Sequence, residues 1–200
     1  MNYDRNPASL LLLGAIIAIS ALALWVAPRI IDRNLLRPYW LLKHRQYDTI
    51  VTSGFIHGNF AHLFFNSLAL FSFGPHLERR IGTPKFVALY FLGLVLSSLG
   101  SVYKQRNNPD YAALGASGAI LAVVFASVVY YPNDMVIVLF LPMPAWVFAL
   151  GFAGYSLWAS KNRRNNVAHD AHLDGAFVGL VFVGLTDFPA WSRALHQVFG

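Results

Sequence analysis

The chain has 200 residues, 56% hydrophobic and 12% charged, with no cysteine and a formal net charge of +6. A soluble domain carries roughly 25% charged residues, so this composition excludes an ordinary water-soluble globule and points to a protein that crosses a membrane several times. The missing cysteines exclude disulfide and thiolate–metal frameworks. The basic residues form short clusters between apolar stretches, where lipid headgroups rather than nucleic acid are the expected partner.

The expected fold class is all-α: a single membrane domain over 1–200 with six transmembrane helices. The first apolar stretch, about 9–27, stops before Pro28 and reads as a retained anchor rather than a signal peptide. Residues 28–56 mix Arg29, Arg33, Arg37, Lys43 and Arg45 with Leu35, Leu36, Tyr39, Trp40 and Leu42, which suits a segment lying in the interface. The remaining spans are expected at about 59–76, 85–102, 114–131, 135–160 and 172–185. The connectors between them are short and rich in Gly, Pro and Asn, such as Gly82-Thr83-Pro84 and Pro132-Asn133-Asp134. No repeat or low-complexity segment is evident.

Two of these spans are short for a bilayer. A helix from Ser117 to Tyr131 rises ~22 Å and one from His172 to Leu185 ~20 Å, against about 30 Å of hydrocarbon. If both reach the opposite face, both start below the near face, and the loops that feed them dip into the membrane. Such backbone is tolerated only where protein or a water-filled cavity covers it.

Polar residues cluster at three span starts: His57, His62 and Asn66 in HGNFAHLFFN; Gly115-Ala116-Ser117-Gly118; and His169-Asp170-Ala171-His172, followed by Gly175 and Gly179. Spans two, four and six run in the same direction, so all three clusters belong to one layer, where polar groups are costly and mark function. Singly, each has a plainer reading. Ser117 could bond its own backbone, the glycines could be packing points, and either histidine could be a structural hydrogen-bonder. Together they fit nucleophilic catalysis. Small neighbours leave Ser117 Oγ open, and His172 is placed to take its proton. His62 and Asn66 share a helical face and, with the Ser117 N–H, suit an oxyanion site. Asp174 points away from His172 and Asp170 suits the N-cap of span six, so a Ser–His dyad is expected rather than a triad.

From about residue 52 to 180 the chain resembles the rhomboid intramembrane serine proteases, of the bacterial six-span type. The resemblance rests on HGNFAHLFFN, the G-x-x-x-E-x-x-x-G of Gly74, Glu78 and Gly82, the GASG around Ser117, and AHDAHLDGAFVG. It implies a serine endopeptidase acting on transmembrane proteins without a cofactor or metal, with Ser117 as nucleophile, His172 as base, and His62 and Asn66 in the oxyanion hole. His57, Gly115, Gly118, His169, Gly175 and Gly179 would support them, and the fifth span would be a mobile substrate gate. It also implies a bacterial inner (plasma) membrane with the active site toward the extracytoplasmic side.

The chain departs from the family pattern at four points. Asp48-Thr49 replaces a Trp-Arg pair, Leu121 stands where some members carry an aromatic ring that stacks on the catalytic histidine, and Asp174 replaces a small residue. The fourth is charge: the family orientation leaves roughly ten of the Lys and Arg residues outside, against the positive-inside rule. Competing readings are a non-proteolytic rhomboid-fold chaperone or transporter, and a metal-dependent hydrolase with His57, His62, His169 and His172 around zinc.

Overall fold

The computed structural model describes residues 7–138, 141–162 and 167–200, with side chains at all of these except 138, 159–162 and 167–169. Helix α1 (Pro7–Ala21) runs on through a π-helical turn (Leu22–Val26), closed by the Ala27 N–H donating to the Leu22 carbonyl. Three short helices follow, α2 (Arg29–Asn34), α3 (Pro38–His44) and α4 (Thr49–Thr52), then a 3-10 turn (Ser53–Phe55). This segment is tied inward by a two-way backbone pairing of Leu36 with Ala113 and by the Trp40 indole N–H, which donates to the Pro109 carbonyl. Where Asp48-Thr49 replaces the family pair, Asp48 bonds Arg33 at 2.9 Å and the Thr49 hydroxyl donates to the Gln46 carbonyl at 2.7 Å.

Helix α5 (Phe60–Ile81) begins at Asn59, whose side chain accepts the His62 N–H at 2.8 Å, as an N-cap must. Near its other end the buried Glu78 carboxylate, 1% exposed, accepts the N–H groups of Ala8 and Ser9 and the Thr83 hydroxyl. An anion is thereby seated on the positive end of α1, which joins α1, α5 and the start of α6 (Thr83–Gln105).

Helix α7 (Ser117–Tyr130) is the centre of the molecule. Every residue from Gly118 to Val129 is buried, which is why its sequence is apolar on all sides. Helices α6 and α9 (Val167–Thr186) flank it. Gly175 and Gly179 bring α9 almost into backbone contact with α7: a Cβ on Gly175 would lie 2.9 Å from Gly118 Cα, and one on Gly179 3.0 Å from Ala122 Cα.

The structure corrects three expectations of detail. The stretch expected as a fifth span opens as an antiparallel hairpin, β1 (Met135–Val138) with β2 (Leu141–Pro144), before α8 (Ala145–Asn162). Pro142 and Pro144 deny a helix its donors there, and Val136, Ile137 and Val138 favour extended backbone. Helix α9 starts at Val167, so Asp170 lies in its first turn rather than at its N-cap, and His172 is not at the helix start. A further helix, α10 (Pro189–Phe199), bends away at 113°, with Leu195 and Phe199 exposed on it and Phe188 exposed at its N-cap.

Among the described residues, Pro7–Val26 and Thr83–Gln105 are long and apolar enough to cross a bilayer. Asp170–Thr186 with Pro189–Phe199 would be a third if counted as one broken span. Helix α5 carries Glu78, Arg79 and Arg80 in its last turn, and the apolar helices Ser117–Tyr130 and Ala145–Trp158 are shorter.

Candidate active site

Ser117 is the first residue of α7, so its N–H belongs to the turn that has no intrahelical acceptor and points out of the helix end. The loop before it is held on both sides. Gly115 adopts φ +111°, a conformation glycine takes without steric cost, and its N–H donates to the Ser53 carbonyl at 2.9 Å. The next N–H, that of Ala116, donates to His57 Nε2 at 3.4 Å. The loop ahead of Ser117 is therefore pinned by Ser53 and His57.

His172, in the second turn of α9, faces Ser117 with Nε2 2.9 Å from Oγ. Two residues on, Asp174 faces α6 instead, where its carboxylate bonds Lys104 at 3.2 Å. The His62 ring lies against the backbone of Gly115, close enough that a Cβ there would sit 2.8 Å from Nε2. Ser117, His172, His62, Gly115 and Gly118 line one cavity of about 820 Å³ that also reaches Ser97, Ser101 and Gln105.

Asn66 is placed differently. It is buried, 8% exposed, and its Nδ2 donates to the His62 carbonyl at 2.9 Å, so it stands one turn along α5 and does not line the cavity. His57 lies in the connector ahead of α5, fully buried, its ring 4.8 Å from that of His62 in an edge-to-face arrangement. Burial, and then repulsion from His62, push the His57 imidazole down to about 3, so it is neutral at ordinary pH. Backbone helix α9 includes His169, but its side chain lies outside the described residues. Gly175 and Gly179 act one turn and two turns beyond His172, at the α7–α9 contact.

Phe152 of α8 packs on His172 with ring centroids 6.2 Å apart, and also on Phe125 of α7 at 5.9 Å. With Leu121 in place of an aromatic residue after the serine, a ring reaches the imidazole from α8 instead. Long-range ring contacts of this kind leave no spacing signal.

Chemically, this constellation holds a hydroxyl against an imidazole, beside backbone and ring N–H groups at a helix start, in a cavity roomy enough for water. A rhomboid domain model matches residues 44–187 of the chain. Rhomboid protein 1, mitochondrial, of Saccharomyces cerevisiae is 30% identical over 191 residues, covering 90% of this chain and 54% of that protein. Presenilin-associated rhomboid-like protein, mitochondrial, of Homo sapiens is 31% identical over 153 residues, 72% of this chain and 39% of that protein. Putative rhomboid protease YdcA of Bacillus subtilis is 33% identical over 89 residues, 44% of each chain. The chain thus spans about half or less of the length of these relatives. The expected bacterial plasma-membrane location is overturned by the relatives that align over most of the chain, which are named as mitochondrial proteins.

Proposed function

Because this chain belongs to the rhomboid family, we propose that it is an intramembrane serine endopeptidase in which Ser117 and His172 form the catalytic dyad. The observation that carries the reading is the 2.9 Å contact of His172 Nε2 with Ser117 Oγ on the wall of a cavity. In the proposed reaction His172 accepts the hydroxyl proton as Ser117 Oγ bonds to the carbonyl carbon of the scissile peptide. Negative charge then develops on the carbonyl oxygen, which the Ser117 N–H and the His62 ring are positioned to bind, with Asn66 holding His62 through its carbonyl. His172 passes the proton to the departing amine, the C–N bond breaks, and a water activated by the same imidazole releases the acyl group from Ser117.

The substrates are membrane proteins whose helix unwinds locally. An intact helix commits each carbonyl to an N–H four residues on, whereas the nucleophile needs the carbonyl bare and within about 3 Å. Freed backbone groups find no partner in lipid but find water and polar side chains in the cavity. Gly and Pro near the end of a substrate span lower that cost, and the small residues around Ser117 suit a small side chain such as Ala at the cut. Six crossings, by α1, α5, α6, α7, α8 and α9, complete the proposal, with the short α7 spanning only part of the hydrocarbon. The test is cleavage of a single-span reporter in proteoliposomes. Wild type cuts it, Ser117→Ala and His172→Ala do not, and a fully active Ser117→Ala refutes the dyad.

A further inference from the structure

Proton counting settles the polarity of the hydrogen bonds around His57. Ser20, in the last turn of α1, has one hydroxyl proton, and it goes to the Phe55 carbonyl at 3.0 Å. The 2.9 Å contact between Ser20 Oγ and His57 Nδ1 must therefore take its proton from the ring. A neutral ring protonated at Nδ1 presents a lone pair at Nε2, and the Ala116 N–H points there. The other tautomer would set two N–H groups against each other at Ala116 and would ask the single Ser20 proton to serve both Nδ1 and the Phe55 carbonyl. Ser20, His57 and Ala116 are each 0% exposed, so no water is available to repair a mismatch.

We infer that Ser20, acting through His57, is a positioning residue for Ser117. The chain of hydrogen bonds runs from the Ala116 N–H through the imidazole to Ser20 and the Phe55 carbonyl, and so couples α1 to the residue directly before the nucleophile. With the N–H groups of Gly115 and Ala116 turned to Ser53 and His57, the next N–H along the chain, that of Ser117, is left for the developing oxyanion. The same ring braces His62 edge-to-face, so one imidazole steadies both sides of the oxyanion site. The π-helical turn begins two residues after Ser20. Such insertions re-aim the helix around them and recur at functional sites.

This inference rests on Ser117 being the nucleophile, and the experiment separates the two. Wild type, Ser20→Ala, Ser117→Ala and Ser9→Ala are compared for kcat, KM, thermal midpoint and rate of fluorophosphonate labelling. Ser9 is a buried serine at the other end of α1, bonded to Glu78 and remote from the cavity. Ser20→Ala should lower kcat about tenfold with KM unchanged and slow labelling of Ser117 by the same factor, as expected of a sub-ångström misplacement. Ser9→Ala should lower the thermal midpoint without changing kcat. In 15N-histidine-labelled protein, His57, assigned by the signal lost in His57→Gln, should be neutral and protonated at Nδ1. Equal kcat and labelling in wild type and Ser20→Ala, or a His57 protonated at Nε2 or at both nitrogens, overturns the inference. A wild type that never labels at Ser117 defeats the nucleophile assignment and the positioning role with it. That failure is recognisable because the tautomer is read without turnover.

Discussion

Replacing Gly175 by alanine tests whether the close approach of α9 to α7 is what holds the Ser117–His172 pair together. The added Cβ would meet Gly118 Cα at 2.9 Å, where ordinary contacts begin at 3.4 Å, and it also runs into the Gly118 carbonyl. Both are backbone atoms inside a buried helix, so the helices must part by at least about 0.5 Å rather than a side chain moving aside. Overpacking of this kind costs about 1–3 kcal/mol. Gly175 lies one turn from His172 and Gly118 adjoins Ser117, so the displacement falls on the 2.9 Å contact itself. Turnover should drop about 10- to 100-fold, given that a 1 Å misplacement costs about 10²-fold. The assay is reporter cleavage in proteoliposomes beside a thermal melt, with Gly14→Ala as control, since a Cβ on Gly14 meets nothing within 4 Å. A folded Gly175→Ala with unchanged kcat would mean that the α7–α9 approach does not set the Ser117–His172 geometry.

Three further outcomes follow from the site. His62→Ala should lower turnover about 10²-fold, as for loss of an oxyanion donor, and Asn66→Ala should cost less because Asn66 acts through the His62 carbonyl; equal losses would put both on the oxyanion. Phe152→Ala should lower kcat several-fold with little change in KM, while Phe152→Tyr, which keeps the ring on His172, restores it; a KM effect alone would assign Phe152 to substrate binding. His57 takes up a proton more readily unfolded, near 6.5, than folded, near 3, so stability should fall as pH drops below about 6.5, by up to about 1.4 kcal/mol per pH unit. That acid sensitivity should shrink in His57→Gln, and identical pH profiles for the two proteins would count against a buried neutral imidazole.

Much of this arrangement was legible in the residues because it rests on local pattern. The start of α7 at Ser117 follows from Gly115-Ala116-Ser117-Gly118 ahead of an apolar run. The divergence of Asp174 from His172 follows from helical spacing alone, and the structure adds its partner, Lys104. Other features were hidden. The run from Met135 to Pro144 is uniformly apolar, and an apolar run does not by itself separate strand from helix. The two prolines in it, Pro142 and Pro144, are the available sign. Helix α9 extends five residues before His172 because the polar stretch at its start is helical too, a length that hydropathy does not report. Ser20 and Phe152 were passed over because their partners lie 37 and 20 residues away, and only the fold joins them.

Whether Ser117 is a nucleophile activated by His172 is read by mapping a fluorophosphonate adduct by mass spectrometry on the protein in lipid. One adduct is expected, on Ser117, absent from Ser117→Ala and formed far more slowly in a folded His172→Ala. Labelling that persists at the wild-type rate in His172→Ala, or an adduct on another serine that survives Ser117→Ala, would contradict it.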